Sequence, residues 1–494
     1  MIISLSSTQS GKTILIYFAL LFLCLYASPS PVLANQNFVV NSAADSADAN
    51  PGDGVCAATN GDCTVRAAVE ESNALPGLDT IFVPGGDPYY FYTNLTISDD
   101  LVITGDSADF TRFQSILNSE AQIGITASVE FSNFTIGGFA APSSGAVSVF
   151  SGDFTANNMV FISNSADYGG AIYVDATARL LVENSYFENN TATNYGGAIM
   201  ANGPSVAIYN STFINNEITS SGSGGQGGAL WANGDSIIID GSTFLGNDGA
   251  TSPTIEAEGR SLSVTNSTFF TNAPIGSVYA AIRMIGGQGI INNSTFWGET
   301  TTLAIQSING TIEIQNSIVA GRARQSCSNI TDLGHNLTWP SGGSCPGTAA
   351  DPKLGAMAEN GGPTPTMALL AGSAAIDAGN DATCISNDQR GVARPQGARC
   401  DIGAFETAEV EKRETSQTLS SGVAVSGTAS RTDDVKWYRL NVPQPGSVVR
   451  ATLESTADYD LYLFAPRVDE ETGQLRDIGN LVSLAKLSDI AQLY

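Results

Sequence analysis

Between about residues 130 and 320 the chain repeats itself, and this repeat constrains the fold more than any other feature. Asn-Ser-Thr-Phe or a close variant begins at Asn133, Asn158, Asn184, Asn210, Gly241, Asn266, Asn293 and Asn316, in steps of 25, 26, 26, 31, 25, 27 and 23 residues. A second ladder keeps the same phase: Gly145-Ala-Val, Gly169-Gly-Ala-Ile, Gly196-Gly-Ala-Ile, Gly227-Gly-Ala-Leu, then Pro253-Thr-Ile, Ala280-Ala-Ile and Leu303-Ala-Ile. Two ladders with one period mean one structural unit per repeat. A period near 25 is too short for a propeller blade, and the leucine-rich pattern is absent, whereas one coil of a parallel β-helix fits.

Each repeat also carries strand-like alternation, as in Ser205-Val-Ala-Ile-Tyr and Asp235-Ser-Ile-Ile-Ile, bounded by Gly and Asn turns. No single coil can bury its apolar side, but coils stacked about 4.8 Å apart satisfy one another's backbone and line up equivalent side chains. Phe161, Phe187, Phe213, Phe244, Phe269 and Phe296 should therefore form a core stack. Asn164, Asn190, Asn216, Asn247 and Asn272, with the first Asn of each repeat, should form turn ladders that hydrogen-bond to backbone and to the next coil.

The charge balance narrows the partners. With 21 Lys+Arg against 48 Asp+Glu, the net charge of −27 disfavours nucleic acid. Lys12 followed by an apolar run from Ile14 to Ala27, ending in Val32-Leu33-Ala34, reads as a secretory signal cleaved after Ala34. That run is short for a membrane span, and no transmembrane segment is expected in the mature chain. Six cysteines remain, an even number in an exported chain, and they fall in sequence-local couples: Cys56-Cys63, Cys327-Cys345 and Cys384-Cys400. Local disulfides are expected among the 15 possible pairings. His335 is the only histidine and reads as an incidental loop residue, so zinc is not expected.

Several segments resemble known families. The Gly-Gly-Ala-Ile plus Phe-x-x-Asn combination resembles the repeats of polymorphic outer-membrane proteins and related right-handed β-helix proteins, which implies a secreted or surface adhesive protein. The 88 residues after Glu406 are fewer than the translocator barrel of such autotransporters needs, so self-export is not expected. Upstream, Cys63-Thr64-Val65-Arg66-Ala67-Ala68 resembles the CSLREA motif, departing from its leucine at Val65 and its glutamate at Ala67. It sits where an open solenoid needs a cap, and a helix-compatible stretch follows it. Asn360-Gly-Gly-Pro, Gly372-Ser-Ala-Ala-Ile-Asp-Ala-Gly379 and Asp388-Gln-Arg-Gly391 through Cys400 to Glu406 resemble the choice-of-anchor type Q region that follows β-helices in exported bacterial proteins. Finally, Lys436-Trp-Tyr-Arg-Leu-Asn-Val442, Ser447 to Leu453 and Asp458 to Phe464 alternate like strands and resemble the pre-peptidase C-terminal (PPC) domain.

Together these readings predict an all-β chain, a right-handed parallel β-helix of the pectate-lyase-like kind followed by a small antiparallel β-sandwich. Its divisions are 1–34 signal peptide, 35–97 cap and first strands, 98–345 β-helix, 346–406 C-terminal region of the solenoid, 407–421 linker and 422–494 sandwich, whose completeness at Tyr494 is open.

Two groups of residues are site candidates. Asp45, Asp48, Asn50 and Asp53 supply hard oxygen donors in a Gly-containing loop, the chemistry of a calcium site, although the EF-hand spacing is absent; solvated loop carboxylates are the plainer reading. No other cofactor is expected. If Ile172, Ile199, Leu230, Ile255 and Ile282 point inward, the next residue of each strand points outward: Tyr173, Met200, Trp231, Glu256, Arg283 and Gln306, flanked by Asp175, Asn202, Asn233 and Glu258. Aromatic faces and polar groups at coil spacing suit an extended extracellular glycan or cell-surface component. The plainer reading packs Trp231 under the Gly222–Gly225 insertion and pairs Glu256 with Arg283. Glu256 and Glu258, roughly 7 Å apart on one strand face, lie near the spacing of an inverting glycosidase. The expectation is a non-catalytic binding scaffold, with a polysaccharide lyase or glycoside hydrolase as the alternative; none of the His-containing or Arg-rich catalytic signatures of pectin-type enzymes is present.

Overall fold

The structure is a computed structural model that describes residues 35–86, 88–116, 120–220, 225–249, 253–272, 281–298 and 303–407, and the strand backbones 417–419, 438–440, 461–468 and 475–485. The expected signal segment, 1–34, lies outside the described residues. The chain divides into two compact units, Met1–Ala408 and Glu409–Tyr494.

The first unit is a parallel β-helix. Each coil contributes one strand to each of three faces, as in Ile172–Val174, Arg179–Glu183 and Tyr186–Glu188, followed one coil later by Ile199–Ala201, Ser205–Tyr209 and Thr212–Ile214. The face holding Arg179–Glu183 is a 12-stranded parallel sheet and is called the first face. The face holding Tyr186–Glu188 is a second 12-stranded sheet, and the face holding Ile172–Val174 is a third sheet of 10 strands. Register is kept throughout the repeats: Phe161 sits beside Phe187, Phe187 beside Phe213, Phe213 beside Phe244, Phe244 beside Phe269 and Phe269 beside Phe296. Their rings lie 4.6–4.9 Å apart and within 3–9° of parallel, all in the core. The sequence repeat is thus the coil repeat.

Two turn chemistries fix the corners. Between the first and second faces the chain needs one residue in the left-handed region, which asparagine tolerates better than other side chains and glycine adopts freely. Asn158, Asn184, Asn210, Asn266, Asn293 and Asn316 have φ between 44 and 52°, and Gly241, filling the same place, has φ 64°. From Asn184 onward the residue after each of these turns is a serine, and these serines form a buried ladder. The N–H of Ser185 donates to Ser211 Oγ, that of Ser211 to Ser242 Oγ, that of Ser242 to Ser267 Oγ and that of Ser267 to Ser294 Oγ, at 3.1–3.3 Å. After the second face, Asn164, Asn190, Asn216, Asn247 and Asn272 form the expected ladder, each amide also donating to the carbonyl of a core residue one coil earlier.

The N-terminal end is closed by helix α1 (Val65–Ala74), whose N-cap Thr64 accepts the N–H of Ala67 at 3.0 Å. Val65, Ala68 and Val69 turn into the core against the first strands, and Cys56 is bonded to Cys63 beside them. Cys327–Cys345 and Cys384–Cys400 complete the three local disulfides.

The stretch 346–406 leaves the path of the coils. Thr348–Ala349 adds a last strand to the second face, but the chain then turns back along that face instead of coiling onward. Gln389 is the fastener. Its amide donates to Thr243 Oγ1 at 2.7 Å and Thr364 Oγ1 at 2.9 Å, and its oxygen accepts from Thr268 Oγ1 at 2.5 Å. The N–H of Ala404 reaches Thr295 Oγ1 at 3.0 Å. Thr243, Thr268 and Thr295 precede the inward phenylalanines, so they point outward, and the returning strap buries them.

In the second unit Gln417–Leu419 pairs in parallel with Tyr438–Leu440, and Leu461–Val468 pairs antiparallel with Leu475–Ala485. The strand read at Ser447 to Leu453 lies outside the described residues.

Candidate functional site

On the third face the outward column is in register as the period-two rule requires: Tyr173 beside Met200, Met200 beside Trp231, Trp231 beside Glu256, Glu256 beside Arg283 and Arg283 beside Gln306. Pointing outward is not the same as being exposed. Met200 and Trp231 are 8% and 7% exposed, Glu256 is fully buried, and only Tyr173, Arg283 and Gln306 reach partial exposure.

Part of that cover comes from the turn entering the third face. Ser165–Tyr168, Thr191–Tyr195 and Glu217–Ile218 form a small parallel sheet of their own, and Tyr168, Tyr195 and Gln226 line up at its end. Tyr168 and Tyr195 stack at 6.0 Å, and Tyr195 lies 5.3 Å from Trp231, whose indole N–H donates to Gln226 Oε1 at 3.2 Å. Each of these three residues directly precedes a Gly-Gly pair, so their column is visible in the sequence though its trajectory is not. The pair must be glycine because the chain turns back on itself there. At Gly169 and Gly196 φ is 59° and 63°, and a Cβ would strike the carbonyl oxygens of Ile172 and Ile199. On the other flank Phe150, 39% exposed, lies 6.4 Å from Tyr173.

The result is an aromatic strip in which Tyr173 and Trp231 stand on strands of the third face, Tyr168 and Tyr195 on the small sheet beside it, and Phe150 just past the strand Val147–Val149. Asp175 and Asn202 flank it half-buried and Asn233 is exposed. Burial raises the Tyr173 hydroxyl above its usual range, Asp175 and Tyr168 push it further, and a hydrogen bond with Asn202 opposes them. Beyond Phe150, Tyr92, Asn94, Glu120, Gln122, Pro142 and Ser143 line an open groove of about 470 Å³. Ser148 Oγ donates to Ser144 Oγ at 2.9 Å, and Ser144 Oγ to Gln122 Oε1 at 3.3 Å, which links the groove to the strip.

Glu256 is ion-paired with Arg283, as the plainer reading had it. Burial raises its carboxyl; the Arg283 hydrogen bond and charge lower it, and Glu258, half-buried two residues on, raises it again. Among the described residues nothing hydrogen-bonds its Oε1. Trp231 packs on Tyr195 and Gln226; Gly222–Gly224 of the expected insertion lie outside the described residues.

The calcium candidates have other work. The Asp45 carboxylate takes both Arg66 Nε at 2.6 Å and Nη2 at 3.1 Å. Asp48 accepts the N–H groups of Asn50 and Ala57, and Asp53 that of Val55. Among the described residues no three His, Cys, Asp or Glu side chains gather as a metal site, so Asp45, Asp48 and Asp53 are not brought together. His335 is a turn residue with φ 55°, its Nδ1 2.9 Å from the Ala378 carbonyl.

The profile of the Chlamydia polymorphic membrane protein repeat matches residues 158–175 and 184–202, two of the coils that carry the strip. No curated protein sequence matches the chain. Among solved structures, a pectate lyase, Pel9A, is similar over 76% of this chain and 97% of its own, at 17% identity and a TM-score of 0.46. A PL6 alginate lyase in complex with a trisaccharide is similar over 59% of this chain and 60% of its own, at 16% identity and a TM-score of 0.41. A GH87 alpha-1,3-glucanase from Streptomyces thermodiastaticus covers 63% of this chain and 68% of its own, at 14% identity and a TM-score of 0.27.

Proposed function

We propose that this chain is an exported, non-catalytic β-helix scaffold that binds an extracellular glycan or cell-surface component along its third face. The supporting observation is the aromatic strip, in which exposed Phe150 and half-buried Tyr173, Tyr168 and Tyr195 offer ring faces from successive coils, with Trp231 packed against Tyr195. Such a ribbon suits a ligand that is itself a repeating chain, stacking on rings and hydrogen-bonding to Asn202, Asn233 and Asp175. Three disulfides fit an oxidising compartment outside the cytosol. A glycan array combined with a reducing-end assay tests the reading. Retention without new reducing ends is the expected result, and turnover of a retained glycan would defeat it.

One observation favours a second reading, a polysaccharide lyase or hydrolase. Glu256 is a carboxyl with a raised pKa beside a second carboxyl, Glu258, which is what a general acid requires. Its complete burial and its pairing with Arg283 weigh against contact with substrate. Turnover that disappears in Glu256→Gln would establish this reading in place of the first.

A further inference from the structure

The charges around the strip specify what kind of glycan suits it. From Glu120 to Gly321 the chain contains three cationic side chains, Arg179, Arg260 and Arg283, against fifteen carboxylates, a net charge of −12. Each of the three is ion-paired. Arg179 meets Asp153 at 3.4 Å on strands of the first face, and Arg260 meets Asp235 at 3.1 Å in the turns that lead into that face. Arg283 alone belongs to the third face, and Glu256 holds it. At the far end of the groove Arg66 reaches the carbonyls of Thr93 and Asn94, but its charge is spent on the nearly buried Asp45.

Recognition of a polyanion works through guanidinium or ammonium groups aimed at its acid groups, and a field of the same sign repels it. Among the described residues, the third-face strands from Leu95–Ile97 to Ile255–Glu258, which carry the strip and its groove, hold no Lys or Arg, while Asp175, Glu258 and Glu120 stand along them. The remaining donors and acceptors, Asn94, Gln122, Ser143, Asn202 and Asn233, are neutral groups matched to hydroxyls.

Resting on the glycan-binding reading, we infer that the strip and its groove take an uncharged polysaccharide, a chain of neutral hexoses or N-acetylhexosamines, and exclude polyuronates. Affinity electrophoresis of the full chain through gels containing β-glucan, galactomannan, polygalacturonate or alginate, at low and high salt, separates the possibilities. Retardation by a neutral polymer is expected, insensitive to salt and weakened roughly tenfold in Tyr173→Ala and Phe150→Ala. Asp175→Lys should add polyuronate retardation that salt abolishes. Retardation by a polyuronate that Tyr173→Ala removes would overturn the substrate class and leave the glycan-binding reading standing. Failure of every polymer to retard the chain would overturn both, and neutral retardation unchanged in both alanine variants would overturn the site.

Discussion

The Asn190 side-chain oxygen accepts two hydrogen bonds from Asn164, one coil away: the backbone N–H at 3.1 Å and the amide Nδ2 at 2.9 Å. Asn190 in turn donates the same pair to Asn216, and Asn216 to Asn247. Every link is buried, so its donors have no water to turn to when a partner is lost. Asn216→Ala would orphan the Asn190 backbone N–H and one of its two amide N–H groups, the other keeping the Phe161 carbonyl, and would free the Phe187 carbonyl. With about 1–3 kcal/mol for each buried orphan, a loss of about 3 kcal/mol or more is expected in urea unfolding. Because solenoid coils depend on their neighbours, hydrogen exchange should quicken first in the coils on either side of 216.

The exposed turn column should respond differently. Asn184 sits at φ 50°; its N–H donates to the Tyr209 carbonyl at 3.1 Å, whatever the side chain, while its side-chain amide has a long 3.4 Å contact to Asn157. A β-branched residue there strains the backbone by roughly 1–2 kcal/mol, while glycine does not. Asn184→Val should lower the melting temperature and Asn184→Gly should stay near the parent, as Gly241 does at the same place in its own coil. Equal losses in both would show that the side chain rather than the backbone angle matters.

These ladders were legible in the sequence because each records a backbone geometry or a stacking contact that recurs every coil. Phe161 and Phe187 are 26 residues apart in the chain and touch in space, and periodicity reports that contact directly. The exposure of Trp231 was not legible. The period-two rule says which side of a strand a residue takes, but the path of the preceding turn decides what lies above it, and Tyr195 and Gln226 lie above it here. The strap was hidden for a related reason. Gln389 meets Thr243 across 146 residues through a single contact that repeats nowhere, so no pattern announces it.

Glu256 should leave a mark on stability against pH. Burial outweighs Arg283 and raises its folded pKa, so the folded chain holds this proton more tightly than the unfolded one. The contribution is fully present below the unfolded carboxyl pKa, about 4.3, and is lost as pH rises through the higher folded value. Gln mimics the protonated form. The melting temperature of Glu256→Gln minus that of the parent should therefore become more positive from pH 4 to pH 8, about the span over which such a carboxyl titrates. Arg283→Met removes a lowering influence, and its deficit should grow over the same span. A flat difference in both variants would mean that the Glu256 carboxyl titrates as it does in water.

The strap carries a second buried ion pair whose loss should read out differently. Arg394 is 1% exposed and donates to Glu406 Oε2 and the Asp401 carbonyl, both at 2.9 Å, and to the Gly403 carbonyl at 2.7 Å. Burial lowers the Arg394 pKa and raises those of Asp401 and Glu406, so the cluster exists only as a mutually compensated set. Removing the cation should cost about 3–5 kcal/mol, because the carboxylates left behind are uncompensated. In Arg394→Met that cost should appear as protease sensitivity within 386–407, while the Phe stack keeps its slow exchange. Arg394→Lys should not rescue it, since one ammonium cannot reproduce the forked bonds to Glu406, Asp401 and Gly403. The two carboxyls have raised folded pKa values, so their protonation relieves the loss, and the strap of Arg394→Met should resist protease better at pH 4 than at pH 8, limits set roughly by the unperturbed carboxyl range. Cleavage equally fast at both would place the strap's stability in Gln389 and the threonines rather than in the charges.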